Sequence, residues 1–410
     1  MGPARGVGRP RLDRRDGYRN KRTPAHAHGS FAVKITLVFP ACSRRGGVER
    51  VVWEAARFLA PRHQVTVVSE VAEELPPDVA HVAVPSGRSP RLLGPLNFRR
   101  AAAAAVRSVP SDVVVSYGTE CPPADVYVIG SVHRAWLRVA GPIEVRGHQI
   151  PGRVRLVMPR HMIGLSLERS YYASAKGRML VPCAQQVATD LAELYGLGDT
   201  PCTVVHNGFS PEEFSPERRS ALRGPARDEL GYGDGETVLV MVANEWQRKG
   251  LKVVLDAMEE LADPDVRLLL VGRHSPDSLV TPRSSWLRSR VRYLGPSDDV
   301  GRVHAASDVF VMPTQYEAFC LAVIEALASG LPVITTNVPG AADAVQPGIN
   351  GLLLDDPLGA SALSALMAEA TDPVRRGTWS QAAPGTVAHL TWEALMGQFE
   401  QVLETRNTAA

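Results

Sequence analysis

Two glutamates, Glu317 and Glu325, are separated by seven residues in the run Tyr316-Glu-Ala-Phe-Cys-Leu-Ala-Val-Ile-Glu325. A pair of cations, Arg248 and Lys249, precedes a glycine in Asn244-Glu-Trp-Gln-Arg-Lys-Gly-Leu251. A carboxylate accepts hydrogen bonds from hydroxyl groups. An arginine grips a diphosphate bidentately, and a lysine serves it as a point charge. The residue types therefore suit a ligand with phosphates at its middle and hydroxyl-bearing groups on either side.

The elements around these residues decide whether they can meet. Asp308-Val-Phe-Val-Met312 reads as a short buried strand and Pro313 starts a loop. From about Cys320, Leu321, Ile324 and Leu327 recur at helical spacing until Ser329-Gly330 and Pro332 stop the helix, and Val333-Ile-Thr-Thr336 reads as the next strand. Glu317 thus falls at the lip of a strand and Glu325 a turn or so inside the following helix. The N–H groups around Phe319, Cys320 and Leu321 would face the same crevice, where the helix dipole favours an anion. Two carboxylates flanking a phosphate cradle fit a nucleotide-sugar. Arg248 and Lys249 also sit just ahead of a helix, where cations are electrostatically misplaced unless an anion joins them. A third loop, Gly46-Gly-Val-Glu-Arg-Val-Val52, lies between the first strand and first helix, with Gly46 and Gly47 letting backbone approach a ligand closely. It is not G-x-G-x-x-G, so a dinucleotide cofactor is poorly supported.

From Glu317 to Leu354 the run includes Glu-Ala-Leu-Ala-Ser-Gly-Leu-Pro-Val-Ile, Val-Pro-Gly-Ala-Ala-Asp and Gly-Ile-Asn-Gly-Leu-Leu-Leu. It closely resembles the donor-binding signature of GT4-type (group 1) retaining glycosyltransferases. The resemblance implies the GT-B architecture, two Rossmann-like doubly wound α/β domains facing a central cleft. It implies that Glu317 touches the donor sugar, with Ala318 beside it. The backbone at Phe319, Cys320 and Leu321 would hold the diphosphate, and Glu325 the ribose. Arg248 and Lys249 would neutralise the departing phosphate. The Gly46-Gly47 loop would close over diphosphate and acceptor, and His133 would stand against the donor sugar. The implied reaction moves a hexosyl unit from a nucleoside-diphosphate sugar to an acceptor hydroxyl with retention. UDP is the default donor base by family analogy, and no metal or other cofactor is required. Asp263-Pro-Asp265 mimics the D-x-D metal motif of another glycosyltransferase fold, yet lies in a Pro-containing loop far from the other signals. The donor half looks most like lipopolysaccharide-core glucosyltransferases. The acceptor stays open among a small molecule, a glycolipid and a polysaccharide. A nucleotide-sugar-binding protein without turnover, or another GT-B enzyme such as an epimerase or phosphorylase, are the rival readings.

The rest of the chain sets the frame. Its 410 residues suit two domains, and 45% apolar content with net charge +2 suits an ordinary globular protein. Residues 1–30 carry eight basic and two acidic side chains without apolar periodicity, which predicts a disordered basic tail. The tail has no apolar core of a secretory signal, and no stretch approaches the roughly 18 apolar residues of a membrane span. The five cysteines form no C-x-x-C pair, so zinc or a disulfide framework is not indicated, and a cytoplasmic setting is expected. Strands alternating with helices place one α/β domain over 31–205 and the nucleotide-sugar domain over 206–385. A final helical segment, 386–410, is expected to cross back to the first domain. Cys202-Thr-Val-Val-His206 reads as a strand closed by Asn207-Gly208, and 209–235 as a linker with helical pieces. The basic runs 86–109 and 146–169, interleaved with apolar residues, could hold an acceptor or lie on an anionic membrane face; a solvated basic surface is the plainer expectation. Nucleic acid is not an expected partner.

Overall fold

A computed structural model describes residues 33–85, 93–141, 143–145 and 148–408. The basic tail and the arginines at 88, 91 and 146 lie outside these residues.

Runs rich in β-branched and other apolar residues build a first parallel sheet from β1 (Lys34–Val38), β2 (Gln64–Ser69), β3 (Val79–Ala83), β4 (Val113–Ser116), β5 (Val126–Ile129) and β6 (Met179–Pro182). The strand order is β6-β5-β4-β1-β2-β3. A second parallel sheet comprises β7 (Thr237–Val242), β8 (Val266–Val271), β9 (Val291–Gly295), β10 (Val309–Met312), β11 (Val333–Thr336) and β12 (Gly351–Leu354), in the order β9-β8-β7-β10-β11-β12. Each sheet repeats the 3-2-1-4-5-6 order of a Rossmann unit. Its central strands are buried on both faces, as helices on both sides require.

The helices that bear on the site and its supports are α1 (Val48–Leu59), α2 (Gly94–Ser108), α3 (His133–Val139), α4 (Pro159–Ser174), α5 (Gln185–Tyr195), α6 (Pro216–Leu230), α7 (Leu251–Leu261), α8 (Val300–Ala306), α9 (Leu321–Ala328) and α10 (Trp392–Thr408). The last of these packs on α1. Glu400 on α10 accepts from Arg62 Nε at 2.7 Å and stands 2.8 Å from His63 Nε2, both just past the end of α1. Among the described residues no helix is long and apolar enough to cross a membrane.

Two segments differ from their sequence reading. Residues 202–206 form no strand. Leu180 N–H donates to Pro201 O, and the amides of Thr203 and Val205 donate to Leu180 O and Pro182 O, yet only Leu180 and Cys202 complete a ladder pair. The segment borders β6 at the sheet's edge and is preceded by Pro201, which has no N–H to contribute. The second is the charged stretch after Phe209: the helical piece expected there is the 15-residue α6, but it packs on the second lobe rather than standing in an open linker. Ser215 caps that helix and Gly231, left-handed at φ 67°, ends it. Its arginines dock onto the second sheet's layer: Arg223 and Arg227 both bind Asp308 (2.6 and 3.1 Å), and Arg219 donates to Ser307 O at 2.8 Å.

Candidate active site

In a 3-2-1-4-5-6 sheet, ligands bind beyond the carboxyl ends of the strands where the order reverses. Here that point lies between β1 and β4 in one lobe and between β7 and β10 in the other. The loops leaving these strands meet. A cleft of about 1000 Å³ is lined by Gly46, Gly47 and Arg50 after β1, and by Tyr117 after β4. The β7 loop brings Glu245, Arg248 and Lys249 to it, and the β10 loop and α9 bring Glu317, Phe319, Cys320, Leu321 and Glu325.

Two glycines bring the β7 and β11 loops onto the β10 loop. Gly250, at φ 85°, sits where a Cβ would strike the carbonyl of Pro313, and Gly340, at φ 82°, where one would strike the carbonyls of Glu317 and Ala318. The cations and carboxylates then pair across the β7 and β10 loops. Lys249 Nζ bonds Glu317 Oε2, with Arg248 Nη1 3.9 Å from the same oxygen. Arg248 also donates to Tyr316 O at 2.7 Å and to Glu245 Oε2 at 2.9 Å. Burial works against the Glu245 carboxylate, but the Arg248 hydrogen bond and charge outweigh it and hold its pKa below the usual range. The cleft thus presents two cations, each held in place by a carboxylate on one side.

Glu325 faces the cleft from the second turn of α9. It is only 9% exposed, and burial pushes its pKa up to about 7, with Arg50 opposing and Glu213 adding to the rise. At the start of α9, Cys320 N–H is already committed to Gly340 O at 3.2 Å, which corrects its expected place in the cradle. The amides left unpaired by helix geometry are those of Leu321 and Ala322, and both residues line the cleft. Phe319 stacks on His206 of the first lobe, ring centroids 5.3 Å apart. Gly47 N–H donates to Glu49 Oε2 at 3.1 Å, so Glu49 closes the glycine loop on itself.

The structure does not bring His133 to the cleft lining. Its ring packs against Trp136 and His161 (centroids 5.3 and 5.2 Å), which also touch each other at 5.6 Å, and its Nε2 lies 3.1 Å from His161 Nδ1. Burial first, then Arg160, lower its pKa. Its amide and that of Arg134 donate to Glu168, a buried carboxylate capping α3 from α4. Ala318 is buried behind the lining as well. Arg50, Glu213, Glu245 and Tyr117 are all part of the wall, although no local motif marks them as binding residues. Arg50 was legible only as the last letter of Gly-Gly-Val-Glu-Arg.

The comparisons agree with this architecture. Residues 45–213 match the family described as Glycosyltransferase Family 4, and residues 236–369 match Glycosyl transferases group 1. The chain belongs to this glycosyltransferase family. Among its relatives, D-inositol 3-phosphate glycosyltransferase from Rhodococcus opacus (strain B4) is 33% identical over 232 residues, 53% of this chain and 51% of that one. The chain spans about half the length of the curated relatives it matches. Its fold is similar to that of WaaG, a glycosyltransferase involved in lipopolysaccharide biosynthesis. The TM-score is 0.77 at 21% identity, covering 90% of this chain and 99% of that one. Anabaena Alr3699/HepE in complex with UDP-glucose gives a TM-score of 0.66 at 19% identity, covering 91% and 100%. Both are GT-B neighbours, and the two Rossmann-like lobes seen here are that fold.

Proposed function

We propose that this chain transfers a hexosyl unit from a UDP-sugar to an acceptor hydroxyl with retention of anomeric configuration. The observation that carries this reading is the convergence of Arg248, Lys249, Glu317 and Glu325 around the start of α9, on one wall of the cleft between the lobes. The diphosphate would lie against the Leu321 and Ala322 amides and the two cations. The sugar would lie toward Glu317, and the ribose toward Glu325. UDP as the base is supported by the UDP-glucose bound to the Anabaena neighbour. The acceptor would enter from the first-lobe side, past Arg44, Arg45 and Tyr117. Similarity to the Rhodococcus D-inositol 3-phosphate glycosyltransferase supports a phosphorylated polyol as one candidate acceptor, beside glycolipids and polysaccharides.

Charge developing on the leaving phosphate would meet Lys249 and Arg248, fixed donors in a partly dehydrated site, where such groups act most strongly. Glu317 is bound to Lys249, which directs its carboxylate to sugar hydroxyls rather than to attack on the anomeric carbon. A front-face reaction follows, in which the departing phosphate oxygen takes the acceptor's proton. With both cations on the diphosphate, no divalent ion is called for. Protein treated with EDTA should still release UDP from a UDP-hexose, and proton NMR should show the first-formed sugar with the donor's anomeric configuration. First-formed sugar of inverted configuration would contradict the proposed course. Dependence on added metal would contradict the role given to the cations. Binding without any release, with acceptors supplied, would favour the non-catalytic reading.

A membrane-facing role for the first lobe has its own support. The 3-10 turn Gly152–Val157 buries none of its residues and exposes Val154, Leu156 and Val157, the last at 71%. Val139 and Met162 are exposed on the flanking helices, with Arg153, Arg160 and Arg169 exposed nearby. Apolar side chains among arginines suit an anionic bilayer face. The protein should co-sediment with vesicles containing phosphatidylglycerol, and a Leu156→Asp/Val157→Asp variant should lose most of that binding. Unchanged sedimentation of the variant would refute this surface as the contact.

A further inference from the structure

Arg50 occupies the third position of α1, where the helix dipole disfavours a cation, and it is only 9% exposed. A buried arginine in that place needs carboxylates, and it has three, from separate stretches of chain. Its Nη2 lies 2.9 Å from Glu213 in the connection between the lobes, and its Nη1 lies 3.5 Å from Glu325 on α9 of the second lobe. Its Nε stands 3.7 Å from Glu54, one turn along α1, and makes no hydrogen bond. Nη2 also donates to Ser210 Oγ at 3.2 Å. Two neighbours on the same loop reach across as well: Arg44 pairs with Glu213 at 3.4 Å and Arg45 with Asp298 at 2.9 Å. The Arg50 guanidinium is thus a first-lobe group set against the carboxylate that the proposed function gives to the ribose.

We infer that Arg50 is a positioning residue that orients the Glu325 carboxylate across the cleft, so that nucleotide affinity depends on the two lobes being together. The inference rests on the proposed function for what Glu325 binds. Its geometry is specific. Arg50 approaches one oxygen of Glu325, Oε1, and does so at the long end of hydrogen-bond range. The carboxylate is thereby held without being saturated, which leaves it free to accept hydroxyl groups. The groups facing Glu325 are Arg50 on α1, Glu213 in the connection, and the Cys320 thiol at the start of its own helix. Glu54 acts through Arg50. Arg50 is the cation in this group. Burial drives the Glu325 carboxyl toward its neutral form and Arg50 opposes this, so removing Arg50 leaves burial and Glu213 to raise its pKa further.

Calorimetric titration of UDP and GDP from pH 6 to pH 9 tests the inference, with thermal melting to verify that each variant is folded. In the unaltered protein, affinity should fall as pH drops through about 7, where Glu325 takes up a proton. Arg50→Met should move that midpoint upward by roughly one unit or more and weaken binding about tenfold near pH 7. Arg50→Lys, which keeps the charge, should return the midpoint close to its original place. An Arg50→Met midpoint identical to that of the unaltered protein, while Glu325→Gln abolishes the pH dependence, would overturn the role of Arg50 and leave the ribose assignment standing. Unweakened binding by Glu325→Gln would overturn the ribose assignment itself, and this inference with it.

Discussion

Replacing Lys249 by alanine should cut the turnover number about 10²- to 10³-fold while changing donor affinity far less. A fixed donor aimed at charge that appears only in the transition state contributes on that scale. Lys249 meets the structural conditions. It sits on the β7 loop at the Gly250 turn, 13% exposed, and its ammonium is anchored by Glu317. Arg248 cannot replace it by a small movement, because Glu245 and the Tyr316 carbonyl already fix its guanidinium. Lys252, one turn further on, pairs with Asp256 on the exposed face of α7, and Lys252→Ala should leave turnover unchanged. Steady-state rates with saturating donor separate the two variants. Full turnover by Lys249→Ala would remove it from the chemistry.

Glu325→Gln should weaken nucleotide binding about 10- to 100-fold, the scale of losing charge-assisted hydrogen bonds worth roughly 1.5–3 kcal/mol. The same variant should be more heat-stable above neutral pH. Burial raises the folded pKa of Glu325 from 4.5 to about 7. A carboxyl whose folded pKa lies above its unfolded value holds its proton more tightly in the native state. Ionisation therefore erodes stability as pH rises from about 4.5 to about 7, and the full cost is present above that. Glutamine carries no such cost, so the variant's gain in Tm should be present at pH 8 and fade by pH 4.5. Gain in stability with loss of binding is the signature of a residue kept for function. Equal melting curves at pH 8 would mean that the carboxylate is better compensated by Arg50 than its burial indicates.

Much of this site was legible because its parts are local. Strand, loop, two glutamates and helix fall within 309–328, where apolar periodicity and the Ser329-Gly330 stop fix each element. Helix α1 likewise runs from Val48 to Leu59 as its spacing demands. The rest depends on partners far apart in sequence. Arg50 meets Glu213 and Glu325 across separations of 163 and 275 residues, and no local pattern announces such a pairing. The arginines of α6 look like a solvated charge run, yet their targets are Asp308 and carbonyls at the end of α8, which follow α6 in the chain only after three strands. His133 is placed by resemblance alone, and the ring cluster of Trp136, His133 and His161 that holds it needs α4, whose sequence carries no sign of that contact. The Cys320 amide was expected to be free because helix starts usually leave it so. The Gly340 carbonyl that takes it comes from the loop after β11.

The central claim is that the cleft holds a nucleoside-diphosphate sugar by Glu325, the two cations and the start of α9. The most direct measurement is calorimetric binding of UDP-, GDP-, dTDP- and ADP-hexoses to the full chain and to its Glu325→Gln variant at pH 8. The account predicts saturable binding, strongest for a UDP-sugar, with affinity falling at least tenfold in the variant. Binding of none of the four, or equal binding by the variant, would contradict it.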